Sequence, residues 1–396
     1  VNSRRLAGAV PVAFACGAAA CVLLLRHAPG NAAPDLRQPL AVAAGWRGFG
    51  VAYWAIAAAV WCASAWAVDR IGSRPGAPPT VTTIAIASGS ALAAALLWPA
   101  VASSDVYAYA SFGERAASGA SPYGVLTAQP ADAIDRAALW QWGSRLPPDN
   151  YGPLFNTIAA AIVIASRGDA GLACLLFRLA ACIAFAGCSA LLWLVYERDR
   201  AAGVCVFALN PLVVWSAAEG HNDFYAGILV LGGLLAARRF PIGGGALAAL
   251  GTLVKLPALA AVSVAAAVAP ARRDWLTGAA IGAAAALAAC APLFEAAIAR
   301  AGRPPLWPST PVLYPWYAVW LIPFLAAVPG ARRATLVASA LAVVAYLPDV
   351  WGSGAPGARV AVSVAAGAGW LGAVAVALAA QRSGGSRTSR AAASRA

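Results

Sequence analysis

Asp105 breaks the run LWPAVASSDVYAYASFGE (97–114), where an apolar stretch gives way to a carboxylate followed by Tyr107, Tyr109 and Glu114. An aspartate at the edge of an apolar segment, partly out of water, has the chemistry of a general base toward a hydroxyl. It also suits a helix N-cap, because serine and aspartate both favour that position. A second group lies in NPLVVWSAAEGHNDFYAGILV (210–230), where Glu219, His221, Asn222 and Asp223 sit between two apolar runs. An imidazole among carboxylates binds phosphate, positions a hydroxyl or helps ligate a divalent cation. One histidine among acids is a poor transition-metal signature. A polar turn in which Asn222 or Asp223 caps the next helix is the plainer reading, but such a turn needs neither a histidine nor a second acid. The third candidate is Lys255 in GALAALGTLVKLPALAAV (245–262), the sole lysine of the chain. A cation at the bilayer centre costs about 2.5–3.5 kcal/mol, so it defaults to a functional reading, with an anion as its partner. Near a segment end the same side chain would snorkel to the interface instead.

These residues have to be positioned by membrane elements. Of 396 residues, 61% are hydrophobic and 11% charged, well under the about 25% charge of a soluble domain. Apolar runs near the ~20 residues that cross a bilayer recur throughout, without the period-2 alternation of a barrel. The expected fold is therefore an all-α polytopic membrane protein with about 11–13 membrane segments. The spans fall near 6–25, 48–68, 81–101, 172–196, 201–217, 224–237, 242–269, 274–293, 312–328, 332–348 and 359–380. The first run follows Arg4 and Arg5 and reads as an uncleaved anchor. One transmembrane domain covers 1–380, and 381–396 reads as a disordered basic cytoplasmic tail. The net charge of +13 is distributed as arginine pairs between apolar runs, which fits topology and not a nucleic-acid face. None of the eight cysteines has metal-ligand spacing.

Arginine placement puts the amino terminus, 69–74 and the carboxyl tail in the cytoplasm and the long 102–150 segment outside. The two ends of the chain agree only if 152–166 is re-entrant or interfacial, and if 242–269 is two half-spans meeting near Lys255-Leu256-Pro257, where proline disrupts a helix. The external segment carries Tyr107, Tyr109, Phe112, Tyr123, Trp140, Trp142 and Tyr151, which suit helices lying in the headgroup layer. A second external stretch, RPPLWPSTPVLYPWYAVWLIPF (303–324), contains Tyr314 and Trp316 and reads as an aromatic belt or as the wall of a sugar or prenyl groove.

Taken together, SSDVYAYASFGERAASGASPYG, NYGPLFNTIAAAI, the 210–239 stretch, LVKLPAL and YPWYAVWLIP resemble the polyprenol-phosphate-mannose-dependent α-1,6-mannosyltransferases, membrane glycosyltransferases of the GT-C class. The resemblance runs in order from about Ser103 to Pro323. It implies a GT-C-like bundle with a long external first catalytic loop, in the bacterial inner membrane, and with its active site facing outward. It also implies an inverting transfer of a sugar, mannose foremost, from a polyprenyl-phosphate donor to a glycan or glycolipid acceptor. Asp105 matches the family's base, His221, Asn222 and Asp223 its His-Asn-Asp turn, and Lys255 its Lys-hydrophobe-Pro element. Tyr107, Tyr109, Glu114, Tyr123, Tyr314 and Trp316 complete the expected substrate-binding set. A divalent cation is a possible cofactor, membrane lipid is the surroundings and no nucleic acid is expected. The rival class is a secondary transporter or a flippase of lipid-linked sugars, since broken helices and midplane charges also mark transporters.

Overall fold

The computed structural model describes residues 3–26, 47–73, 79–98, 103, 105–124, 132–142, 146, 148–196, 199–300, 315–350, 364–365 and 367–379. Helices dominate, and no β-strand occurs among the described residues. Three helices open the chain: α1 (Ser3–Arg26), α2 (Arg47–Ser73) and α3 (Val81–Leu96). The region expected outside carries α4 (Asp105–Ala117) and α5 (Ala133–Trp142), and then come α6 (Pro153–Ser166) and α7 (Ala170–Val195). The central part holds α8 (Arg200–Ala208), α9 (Pro211–Ala218), α10 (Asp223–Ala236), α11 (Pro241–Ala249) and α12 (Ala258–Ala266). Beyond it lie α13 (Arg272–Ala289), α14 (Ala291–Arg300), a 3₁₀ turn at Pro315–Trp320, α15 (Ile322–Ala326), α16 (Arg332–Val350) and α17 (Gly367–Ala379).

Local chemistry sets many of these boundaries. Thr80 caps α3 by accepting from the Thr83 N–H, and Asp169 caps α7 by accepting from Leu172. Proline opens α6, α9 and α11, where its missing N–H has no helical partner to lose. Proline also breaks what hydropathy alone reads as continuous. The 201–217 stretch bends by 50° between α8 and α9, where Pro211 follows Asn210. The 274–293 stretch runs through α13 into α14 with a 57° bend. The 312–328 stretch is not a continuous spanning helix: its described part is the 3₁₀ turn followed by the five-residue α15, with Pro315 and Pro323 interrupting it. The 242–269 stretch does divide where expected, into α11 with a 3₁₀ turn (Leu250–Leu253) and α12 on the far side of Pro257.

Among the described residues, two helices are long and apolar enough to cross a membrane, α1 over Arg5–Leu24 and α7, or four if each bent pair is one span. Several others are apolar but short. At 1.5 Å per residue, the 14 residues of α6 or α10 reach about 21 Å, under the ~30 Å of a hydrocarbon core. Against the expected 11–13 segments, the described residues hold fewer full-length spans and more half-length pieces. Residues 301–314, including Arg303 and Tyr314, the tail 381–396, and the side chains of Trp140 and Trp142 lie outside the described residues.

Two apolar cores organise the bundle. The larger gathers α1–α3 with α8–α10 and the segment around α15, and is built on Phe14, Trp61, Trp98, Trp215 and Trp316. Trp98 Nε1 donates to the Tyr53 hydroxyl at 2.7 Å, and its ring lies 5.7 Å from Trp61. The smaller joins α4, α6 and the start of α7 through Tyr109, Phe112, Tyr151, Phe155 and Phe177. Tyr109 sits 4.8 Å from Phe155 and 5.1 Å from Tyr151, both edge-on, contacts worth about 0.5–1.5 kcal/mol beyond their buried area. The aromatics expected in a headgroup layer are, where described, packed inside the protein. Tyr107, Tyr109, Phe112, Tyr123 and Tyr151 are buried; on α4, helical spacing turns the rings onto α6 and α7.

Candidate active site

The site lies at the seam between the two cores. Asp105 is the first residue of α4. Tyr109, one turn later on the same face, donates its hydroxyl to Asp105 Oδ2 at 3.3 Å. Ser103 Oγ accepts the Asp105 N–H at 3.3 Å. The Asp105 side chain is 15% exposed, and its Oδ2 lies 3.4 Å from His221 Nδ1. Both contacts fall on Oδ2. Burial is the largest influence on this carboxyl and opposes its ionisation, but the His221 imidazole, Lys255 and the Tyr109 hydroxyl together outweigh it and hold it below the ordinary carboxylate range.

His221 is carried by the turn between α9 and α10. Gly220 has φ +86°, a left-handed conformation that glycine adopts without strain. A Cβ there would also collide with Val106, the neighbour of Asp105. The turn can therefore press against the start of α4 only with glycine at this point. The His221 N–H closes the turn on the Ser216 carbonyl at 3.1 Å, and the ring stacks on Trp316 with centroids 4.1 Å apart and planes 22° apart. His221 is 0% exposed, and its Nε2 has no hydrogen-bond partner among the described residues. Asn222 follows at the N-cap position of α10, yet its side chain makes no capping bond. It too is 0% exposed, with both amide atoms unpartnered among the described residues. Buried polar groups are rarely left in that condition, and each exception calls for an explanation.

Asp223, the first residue of α10, meets Lys255 at 3.3 Å. The lysine stands at the break between the 3₁₀ turn and α12. The Gly152 N–H donates to the Val254 carbonyl at 3.0 Å, and a Cβ on Gly152 would strike the Leu253 backbone. This close approach delivers the Tyr151 ring to the lysine. The ammonium is enclosed by Tyr151, Tyr317 and Trp320, whose centroids lie 5.4, 4.7 and 5.6 Å away. At 4% exposed, Lys255 does not snorkel. Its charge is matched by one carboxylate and three ring faces.

The structure thus brings together Asp105, Tyr109, His221, Asn222, Asp223, Lys255 and Trp316. Three other expected residues stand apart. Tyr107, two residues beyond Asp105, turns to the opposite face of α4, beside Cys174 of α7. Tyr123 joins a separate cluster, where Asn156 Nδ2 donates to its hydroxyl at 3.3 Å and to Asp149 Oδ2 at 2.6 Å. Asp149 Oδ1 accepts the Tyr151 N–H at 2.8 Å; burial pushes this carboxyl up to about 7 against those hydrogen bonds. Glu114 lies two and a half turns along α4, about 13 Å from Asp105 by helical rise. There it groups with Asp132 and Asp135, each offering an oxygen within 4.8 Å of the others. Oxygen donors of this kind suit a hard cation. However, Asp135 takes the Ser111 hydroxyl, and burial followed by Asp132 pushes Glu114 up to about 7, so shared protons already relieve the repulsion.

Sequence reasoning missed Arg178, a buried arginine inside α7. The available signal was a charge in the interior of a 26-residue apolar run. It also missed that Tyr151, Tyr317 and Trp320 surround the lysine.

No curated protein and no solved structure matches the chain. The family model described as alpha-(1->6)-mannopyranosyltransferase, N-terminal domain, matches residues 6–272 of the 396. That range contains Asp105, the His221–Asp223 turn and Lys255, and the chain therefore belongs to the alpha-(1->6)-mannopyranosyltransferase family, membrane glycosyltransferases of the GT-C type.

Proposed function

We propose that the protein transfers mannose from polyprenyl-phosphate-mannose to a hydroxyl of a glycan or glycolipid acceptor, with inversion at the anomeric carbon, on the outer face of a bacterial cytoplasmic membrane. The observation that carries this reading is the set of buried, unpartnered polar atoms beside a carboxylate: His221 Nε2 and both amide atoms of Asn222, next to Asp105. Such atoms await a ligand rich in hydroxyls or anionic oxygens, because leaving a buried group unpaired costs about 1–3 kcal/mol. The arginine pattern supports the outward orientation.

In this reading Asp105 Oδ1 takes the proton of the acceptor hydroxyl, while His221 and Tyr109 steady Oδ2. The acceptor oxygen bonds to the anomeric carbon as the carbon–oxygen bond to phosphate breaks on the opposite face. The electron pair leaves with the polyprenyl phosphate, so atoms and charge balance without a nucleotide. Lys255 is already matched by Asp223. Its part is to fix that carboxylate and the surrounding rings, while the Asn222 amide N–H groups donate to the departing phosphate and His221 Nε2 accepts from a sugar hydroxyl. Donors aimed at developing charge in a dry site are worth far more than in water.

The test is incubation of purified protein in liposomes with synthetic polyprenyl-phosphate-mannose and a panel of acceptors, with mass analysis of the products. The expected product gains one hexose, and Asp105→Asn abolishes it at a normal protein level. Movement of labelled donor across the bilayer with no covalent product would overturn the reading in favour of transport.

A further inference from the structure

We infer that Arg178 is a positioning residue that sets the distance between Asp105 and His221. The inference rests on the reading of Asp105 as the base. Arg178 is 3% exposed and lies beneath the turn that carries His221. Its Nε donates to the Ala218 carbonyl at 2.6 Å, and Nη2 donates to the Leu96 carbonyl at 3.1 Å and the Trp98 carbonyl at 3.3 Å. Ala218 is the last residue of α9, Leu96 is the last residue of α3, and Trp98 lies two positions beyond it. The last carbonyls of a helix have no partner within it and carry the negative end of its dipole. One guanidinium therefore closes two helix ends at once.

The segments leading away from those two ends give the arginine its role. Three residues past Ala218 comes His221, and seven past Trp98 comes Asp105. The Cβ position of Gly220 lies against Val106 on one side and against Arg178 on the other, 3.4 Å from its Cγ. Arg178, the Gly220 turn and the first turn of α4 thus form one stack, with the Asp105–His221 contact at its edge. Trp98 is itself anchored by its bond to Tyr53 and its packing on Trp61, so the arginine ties the reacting groups to the larger core. Buried under the turn and engaged with three carbonyls, with its charge beside the buried Glu219 carboxyl, Arg178 acts through the turn. A planar fork with several N–H groups reaches all three carbonyls, whereas a lysine ammonium on a flexible stem reaches them one at a time.

The experiment measures kcat and donor KM separately for Arg178→Lys, Arg178→Gln and Arg178→Ala in liposomes, with Asp105→Asn alongside. Arg178→Ala is also assayed with added guanidinium. Misplacement of reacting groups by about 1 Å costs about 100-fold in rate. The expected result is a kcat loss of about that size in each variant, with donor KM nearly unchanged, and partial recovery of Arg178→Ala by guanidinium. Where Arg178→Ala does not accumulate in membranes, the lysine and glutamine variants carry the same contrast. Full kcat in all variants overturns the inference, as does a rise in donor KM at constant kcat, which would make Arg178 a binding group. A loss that guanidinium does not relieve, matched by an equal loss of thermal stability, overturns it in favour of a purely structural role. If Asp105→Asn retains full transfer, the assignment of the base fails first and is recognised separately.

Discussion

Asn210 and Asn222 each stand immediately before a helix, and the structure treats them oppositely. Asn210 is fully used: its Oδ1 accepts the Leu212 N–H at 3.0 Å and its Nδ2 donates to Ser339 Oγ at 2.9 Å. Asn222 is as deeply buried but bonds to nothing among the described residues through its side chain. The difference originates in the backbone. Asn210 has φ −63° and ψ 125°, the extended conformation that swings a capping side chain over the first helical N–H groups. Asn222 has φ −77° and ψ −2°, a continuation of the tight turn opened by Gly220, and this points the amide away from the helix end. A residue type that ordinarily stabilises a helix is thereby turned into an unsatisfied group in the middle of a site. Stability and recognition draw on the same chemistry, and the preceding turn decides between them.

The contrast between satisfied and unsatisfied polar groups can be broken at several points. The largest effect belongs to Asp105, where Asp105→Asn is expected to lower kcat about 10²–10⁴-fold, the range supplied by a positioned general base, with little change in thermal unfolding. Because this carboxyl is held below its ordinary range, it stays ionised as pH falls to that range; the pH–rate profile should therefore keep its acid limb below the ordinary carboxylate pKa. Next comes Lys255→Met, which leaves Asp223 buried without a counter-charge and should cost about 3–5 kcal/mol of stability. The double variant Lys255→Met/Asp223→Asn should recover much of that loss in a denaturation assay.

The two asparagines provide the sharpest test. Asn222→Ala should reduce kcat/KM by about 10–100-fold through the loss of one or two hydrogen bonds while leaving the melting temperature level or raised. Asn210→Ala should do the reverse, costing about 1 kcal/mol of stability and leaving kcat/KM intact; equal effects at both positions would remove the distinction. The last effect is read as stability against pH and concerns Asp149. Its folded form holds its proton up to about 7 against an ordinary value of 3.8, so the folded protein binds more protons than the unfolded one across that window and loses stability as pH rises through it. Asp149→Asn should flatten the fall in melting temperature, though incompletely, since Glu114, also raised to about 7, contributes with the same sign.

Asp105, His221, Asp223 and Lys255 were legible in the sequence because a charge or imidazole in an apolar run is costly and stands out. Their pairing was not, since Asp105 with His221 and Asp223 with Lys255 are contacts between distant segments. Tyr109 and Tyr107 could be separated only once the start of α4 was known, because helical phase sends one toward Asp105 and the other toward α7. The stretch 312–328 misled because hydropathy registers apolarity and not the missing N–H of proline. Arg178 was hidden by its company: arginine elsewhere in this chain marks loop ends, and the same residue inside α7 was absorbed into the span. The all-helical class and the break beside Lys255 followed from composition and Pro257, whereas the bends at α8–α9 and α13–α14 went unread although Pro211 and Pro292 stand at them, because hydropathy does not register proline.

The stacking of His221 on Trp316 has a consequence for how the protein comes into being. The ring that covers the imidazole lies almost one hundred residues further along the chain than the imidazole itself, so that face of the histidine stays uncovered until the later segment has been made. A fragment ending at residue 272 would therefore lack the ring that stacks on its own histidine.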